Sequence, residues 1–164
     1  MSDPVSVTEA ALLARDQESQ PWQQVVVAVL SGPLARDELI DRIADRIEYS
    51  PRFRRLVGGW PVPGWVDDTN FSIGGHVRTD TLATGQRLED WLSAKLGHSL
   101  DRTHPLWDAT LVGGIAPGTQ ALVVRVHPAL VDGYDHVHLL QELFDTEPGS
   151  IDARVDDWEP AEPQ

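Results

Sequence analysis

Cysteine is absent from the 164 residues. That excludes a disulfide framework, thiolate catalysis and every cysteine-built zinc or iron–sulfur site. Lysine is nearly absent too: of 13 basic residues, only Lys95 is a lysine. Positive charge is scarce as a whole. Asp and Glu number 26, so the net charge is −13. Such a balance repels a nucleic-acid backbone and disfavours charge-driven binding to an anionic membrane, so no nucleic-acid partner is expected. Long apolar runs are lacking as well. The longest, Val25–Leu30, falls far short of the roughly 20 residues of a transmembrane segment. Met1-Ser2-Asp3-Pro4 is not a basic segment followed by an apolar stretch, so no signal peptide is read and a cytoplasmic location is the default.

What is present suits one globular domain. Apolar residues make up 41% and charged residues 24%, enough for a core without covalent staples. Ala10–Ala14 reads as a helical turn in an otherwise polar N-terminal segment. Val25–Leu30, β-branched and bounded by Ser31-Gly32-Pro33, reads as a strand buried on both faces. A helix follows, with Pro33 in its first turn, Asp37 and Glu38 at its positive end, Leu39, Ile43 and Ile47 on one face, and Pro51 as its stop. Residues 58–75 read as a structured Gly/Pro/Trp loop. Leu88, Trp91, Leu92 and Leu96 predict a helix over about 87–97, closed by Gly97. Leu106–Val112 and Ala121–Val126 flank a turn cluster from Gly113 to Gly118 and predict neighbouring antiparallel strands. A last helix is expected from Tyr134 to Phe144, and 146–164 as an acidic, proline-containing tail or truncated linker. The order predicts a mixed α/β layered domain over 1–145.

The segment with the densest chemical signal is Val124-Arg125-Val126-His127-Pro128-Ala129-Leu130-Val131-Asp132-Gly133. It sets a histidine and an aspartate after a buried strand and before a helix, where open α/β sheets place functional groups. A histidine there can act as a general base because its pKa lies near working pH. A nearby carboxylate can orient it, and a glycine permits a sharp turn. Without any chemistry, His127 is a buried imidazole bonded to backbone and Asp132 caps the next helix. His127, Asp132, Asp135, His136 and His138 have no recognised ligand spacing, so no metal is expected.

His127–Gly133 resembles the HHxxxDG motif of coenzyme A-dependent acyltransferases and nonribosomal condensation domains. The whole chain resembles the N-terminal half of the wax ester synthase/diacylglycerol acyltransferase family. Further segments follow in that family's order: Pro51–Val57, Trp65-Val66-Asp67-Asp68 with Phe71, His76-Val77-Arg78, and Leu100-Asp101-Arg102-Thr103-His104-Pro105-Leu106-Trp107, which is similar to its LDRxRPLW segment. The resemblance covers residues 5–160 or so and implies half of a chloramphenicol acetyltransferase-like α/β sandwich. It implies transfer of an acyl group from acyl-CoA to the hydroxyl of a diacylglycerol or fatty alcohol. In that chemistry the motif's second histidine takes the hydroxyl proton, the oxygen attacks the thioester carbonyl, and CoA leaves.

The chain departs from this pattern in three places. The motif reads HPxxxDG, so Pro128 occupies the base position, and proline has no titratable side chain. Adjacent residues in extended chain point to opposite sides. His127 should therefore face away from the spot that the side chain at 128 addresses, leaving His127 and Asp132 as remnants of the motif, with Pro128 and Gly133. Tyr134-Asp135-His136 follow where the family has small residues. His136 could supply a displaced base, but a solvent-facing helix start is the plainer reading. Third, the chain ends about where the family's second half would begin. A homodimer, or a complex with a separate C-terminal-half-like protein, is therefore expected.

Arg52, Arg54 and Arg55 could attract a CoA phosphate, and a solvated face is the expected reading. Trp60, Trp65, Trp91 and Trp107 are expected as core or loop anchors. The resulting expectation is an acyl-CoA-dependent O-acyltransferase-like protein of neutral-lipid synthesis, inactive or strongly impaired as this isolated chain. The alternative is a non-catalytic half-domain that binds a partner protein or acyl lipid. No bound cofactor is expected, and acyl-CoA would be the donor substrate. Attachment to a membrane or lipid droplet would need apolar loop surface.

Overall fold

The apolar segments of the chain assemble around a four-stranded sheet in a computed structural model, which describes residues 3–47, 51–59, 62–131 and 158–160. The elements run β1 (Asp3–Pro4), α1 (Val7–Arg15), β2 (Gln24–Ser31), α2 (Arg36–Ile47), a 3-10 turn (Pro51–Arg54), β3 (Arg55–Gly58), β4 (Gly64–Asp67), α3 (Ile73–His76), β5 (Val77–Thr81), α4 (Leu88–Leu96), β6 (Trp107–Ala116) and β7 (Thr119–Val126). The large sheet has the order β2-β7-β6-β5, and a small one the order β1-β4-β3. β5 lies parallel to β6, while the other pairs are antiparallel.

Side-chain alternation along β6 and β7 divides the core between the two faces of the large sheet. Ala109, Leu111, Leu122, Val124 and Val126 pack with Leu39, Ile43 and Ile47 of α2. Val112, Ala121 and Val123 pack with Trp91 of α4 and with Leu82. The β6–β7 hairpin forms as the sequence predicts, but β6 runs on to Ala116 and the turn narrows to two residues. A register shift between Val112 and Ala116 absorbs the glycine pair. Gly114 has φ +79° there, and a Cβ on it would meet Leu82 O at 3.0 Å; only glycine fits such a close approach.

Several expectations change. β2 is not buried on both faces. It pairs with β7 alone among the described residues, and Val27 and Val29 are exposed. An unbroken apolar run can also be an edge strand whose outer face is open. α2 starts at Arg36, so Pro33 lies ahead of its first turn. Residues 58–75 are not a plain loop, because β4 lies within them and α3 begins within them. α1 is longer than one turn. Ser6 and Glu9 form a reciprocal capping box that begins it at Val7. The predicted 87–97 helix is α4, ended by Gly97. The helix expected at 134–144 lies outside the described residues. So does the tail, apart from 158–160, where Trp158 packs edge-on against Phe71 at 6.3 Å.

Arg52, Arg54 and Arg55 do not form a solvated face. Arg54 is buried, with its guanidinium 4.7 Å from the Trp158 ring. Arg52 pairs with the buried Glu9 and with Asp3. Arg55 Nε donates to Asp67 Oδ1 at 2.8 Å. The small sheet and α1 offer carboxylates that bind these cations more closely than water would. Trp65, Trp91 and Trp107 are buried, as expected of anchors, and Trp60 lies outside the described residues.

Candidate functional site

The hydrogen-bond ladder of β7 extends one residue past the strand and delivers His127. Its N–H donates to Leu106 O at 2.9 Å, and its carbonyl accepts the Leu130 N–H at 2.9 Å. This turn, with Pro128 next in the chain, buries 127–130 completely. The His127 ring is shut inside it. Its Nδ1 accepts the Ala129 N–H at 3.1 Å. An acceptor nitrogen cannot also carry the proton, so the neutral ring is protonated at Nε2. That Nε2 makes no hydrogen bond among the described residues and lies 3.9 Å from Asp16 Oδ2.

Asp16 is clamped from several sides. Its Oδ1 accepts from the Trp22 N–H at 2.8 Å and from the Ser99 hydroxyl at 3.1 Å. Arg102 reaches its Oδ2 and the carbonyls of Leu13 and Asp16. Burial alone would raise the Asp16 pKa, but these donors hold it below the ordinary carboxylate value. Burial pushes the His127 pKa down. The Asp16 charge opposes that shift and Arg102 adds to it. His127 is therefore a neutral imidazole whose lone pair is already used. It holds the loop through that bond to the Ala129 N–H. Sequence alone foresaw the enclosed, backbone-bonded ring. It missed Asp16 and the role of Arg102, because both contacts span more than 80 residues of chain and leave no local signal. Asp132, Gly133, Tyr134, Asp135, His136 and His138 lie outside the described residues.

A second imidazole sits at the same end of the sheet. His76 closes α3 and stacks on Trp107, with ring centres 4.5 Å apart and planes at 13°. Its Nδ1 donates to Trp107 O at 2.8 Å, so the lone pair of the neutral ring is on Nε2. Burial is the main cause that lowers its pKa, against the pull of the Trp107 carbonyl. His76 lines a polar cavity of about 340 Å³ with Asp68, Ser99, Asp101, His104 and Trp107. The opposite wall holds Asp108 and Arg125, directly across β6 and β7, with Arg125 Nε donating to Asp108 Oδ1 at 2.9 Å. Arg125 also caps the carbonyls of Lys95 and His98 at 3.0 Å each. It is a strut that pins the end of α4 to the sheet. Elsewhere an apolar cavity of about 400 Å³ opens among Val5, Ala10, Leu13, Val57, Val62, Pro63 and Leu106, with Arg102 on its wall.

Among the described residues, no three His, Asp or Glu side chains are placed to hold a metal ion. No described helix is long and apolar enough to cross a membrane.

The comparisons with known proteins agree with this architecture. The family profile for the wax ester synthase/diacylglycerol acyltransferase catalytic domain matches residues 2–164. A Mycobacterium tuberculosis protein named "Probable diacyglycerol O-acyltransferase tgs2" is 31% identical over 132 residues, which are 76% of this chain and 29% of that one. The wax ester synthase/diacylglycerol acyltransferase structure from Marinobacter aquaeolei VT8 superposes with a TM-score of 0.72 at 25% identity. It covers 92% of this chain and 40% of its own. The starter condensation domain of rhizomide synthetase RzmA shares the fold, with a TM-score of 0.67 at 16% identity over 87% of this chain and 38% of its own.

Proposed function

Because the chain belongs to the wax ester synthase/diacylglycerol acyltransferase family, we propose that it is an acyl-CoA-dependent O-acyltransferase-like protein of neutral-lipid synthesis whose proton-abstraction step is lost or strongly impaired. The chain spans 29% of the tgs2 protein and 40% of the Marinobacter one. One observation carries it. The motif's base position holds Pro128, while the histidine beside it is sealed in the turn with its Nδ1 accepting the Ala129 N–H. An acceptor alcohol needs a base within about 2.6–3.2 Å of its proton, and loss of that help costs roughly 10²–10⁴-fold. Asp132 and Gly133 complete the motif in sequence. Acyl-CoA is the proposed donor, and diacylglycerol or a fatty alcohol the acceptor. The open face of β2, with Val27 and Val29 exposed, supports a second copy or a separate C-terminal-half-like protein as the partner that walls the site.

The second reading is a non-catalytic domain that binds acyl lipid. The apolar cavity beside α1 favours it. Its volume falls within the usual range for small-molecule sites, and its wall is aliphatic except for Arg102.

The test is CoA release from a long-chain acyl-CoA in the presence of diacylglycerol or fatty alcohol. Wild type and His127→Ala are both expected at background, with a gain in Pro128→His. Turnover in wild type that His127→Ala abolishes would sink the proposal. Silence in all three variants, together with saturable binding of the acyl-CoA, would favour the binding reading.

A further inference from the structure

We propose that the polar cavity between α3 and the start of β6 is a binding site for a small primary ammonium group. Asp68 is 5% exposed and fixed by its backbone. Its N–H donates to Arg54 O at 3.0 Å, and its carbonyl accepts the Phe71 N–H at 3.0 Å. One carboxylate oxygen, Oδ1, accepts the Asn70 N–H at 2.9 Å. The other, Oδ2, is buried, with no hydrogen-bond partner among the described residues, in a residue that lines the cavity. A buried carboxylate oxygen left without a donor is costly, so a group held this firmly in that state asks for a ligand. The neighbouring His104 does not supply the donor. Its Nδ1 is 3.8 Å away, beyond hydrogen-bond range, and its side chain is 57% exposed.

One further group on the wall offers the same chemistry. His76 has spent its one proton on Trp107 O, and its Nε2 makes no hydrogen bond among the described residues. Burial keeps that ring neutral, so Nε2 is a second acceptor. Arg125 is neutralised by Asp108, and Arg78 also lines the cavity but is itself exposed. A carboxylate oxygen and an imidazole lone pair in one cavity fit a cation that carries several N–H donors. A metal ion fits poorly, since no triad of metal-ligating side chains is placed for it. The net charge of −13 draws a small cation toward the protein. The ammonium could come as a free amine or as the headgroup of an aminolipid.

Isothermal titration of the full chain with ethanolammonium chloride tests this, beside tetramethylammonium chloride at matched ionic strength. A parallel arm measures co-sedimentation with phosphatidylcholine vesicles, with and without phosphatidylethanolamine. Saturable binding of ethanolammonium, none of tetramethylammonium, and at least about a tenfold loss in Asp68→Asn is the expected result. Asparagine keeps the acceptor for Asn70, and circular dichroism checks its fold. His76→Phe, which preserves the ring on Trp107, is a second variant expected to weaken binding. Asp68-dependent binding seen only with phosphatidylethanolamine would assign the site to a lipid headgroup. Absence of saturable binding in both arms, equal binding of tetramethylammonium, or full affinity in both variants would overturn the proposal.

Discussion

His127 and His76 occupy the same end of one sheet, both are buried, and both are neutral by reason of that burial, yet they are opposite tautomers. His127 accepts a backbone N–H at Nδ1 and turns its proton toward Asp16. His76 donates from Nδ1 to a backbone carbonyl and keeps its lone pair on Nε2, in a ring that lines the cavity. The residue inside the recognisable motif is therefore the one whose lone pair is engaged by backbone. The one outside it retains an acceptor. Which backbone group meets Nδ1 decides what an imidazole can do.

The largest expected effect separates the two as structural elements. His127→Ala empties a fully enclosed site and strands the Ala129 N–H. It should cost about 3 kcal/mol of unfolding free energy, read from urea denaturation. His76→Phe keeps the stack on Trp107 and loses only the bond to its carbonyl, so about 1 kcal/mol is expected. Equal losses would erase the contrast.

The next effect is one that the two histidines share. Each folded ring has a pKa pushed below the ordinary value of about 6.5. The unfolded chain therefore binds these protons more readily, and stability falls as pH drops from about 6.5 through the lowered folded values. Melting temperatures between pH 7.5 and 5 should decline, and a flat profile would contradict the burial argument. Further acidification removes the contribution of Asp16 and Glu9. Donors hold both carboxylates low despite the opposing effect of burial, so their stabilisation is lost as pH falls below about 4. The finest test is spectroscopic. Imidazole nitrogen shifts at neutral pH should report Nε2–H for His127 and Nδ1–H for His76. The same tautomer at both would remove the basis of the comparison.

Much of the large sheet was legible in the sequence, because β6, β7, α2 and α4 each carry an apolar period over seven or more residues. The capping box at Ser6 and Glu9 was also readable, and it would have placed the start of α1. β5 was not readable, since only Val77 of its five residues is buried and a strand with one core residue has no period to detect. The small sheet is built from strands of two to four residues, too short for alternation. In the site, the buried, backbone-bonded ring was the plain reading of His127 without chemistry. The Asp16 clamp, the Arg54–Trp158 contact and the orphaned oxygen of Asp68 did not, because each depends on chain segments brought together only by the finished fold. The motif itself singled out His127, and Pro128 stands beside it in the sequence.

The pairing of β2 with β7 has a consequence for synthesis. Partner residues such as Gln24 and Val126, or Ser31 and Thr119, lie about ninety to a hundred positions apart. At roughly 5–20 residues per second, β2 leaves the ribosome several seconds before its partner exists. During that interval a β-branched segment with Val25, Val26, Val27 and Val29 waits with both edges unpaired. α2 emerges soon after β2 and can shelter one face, but neither edge. Expression yield of this chain should therefore respond to translation speed and to chaperones that hold exposed strands, independently of the stability of the folded protein.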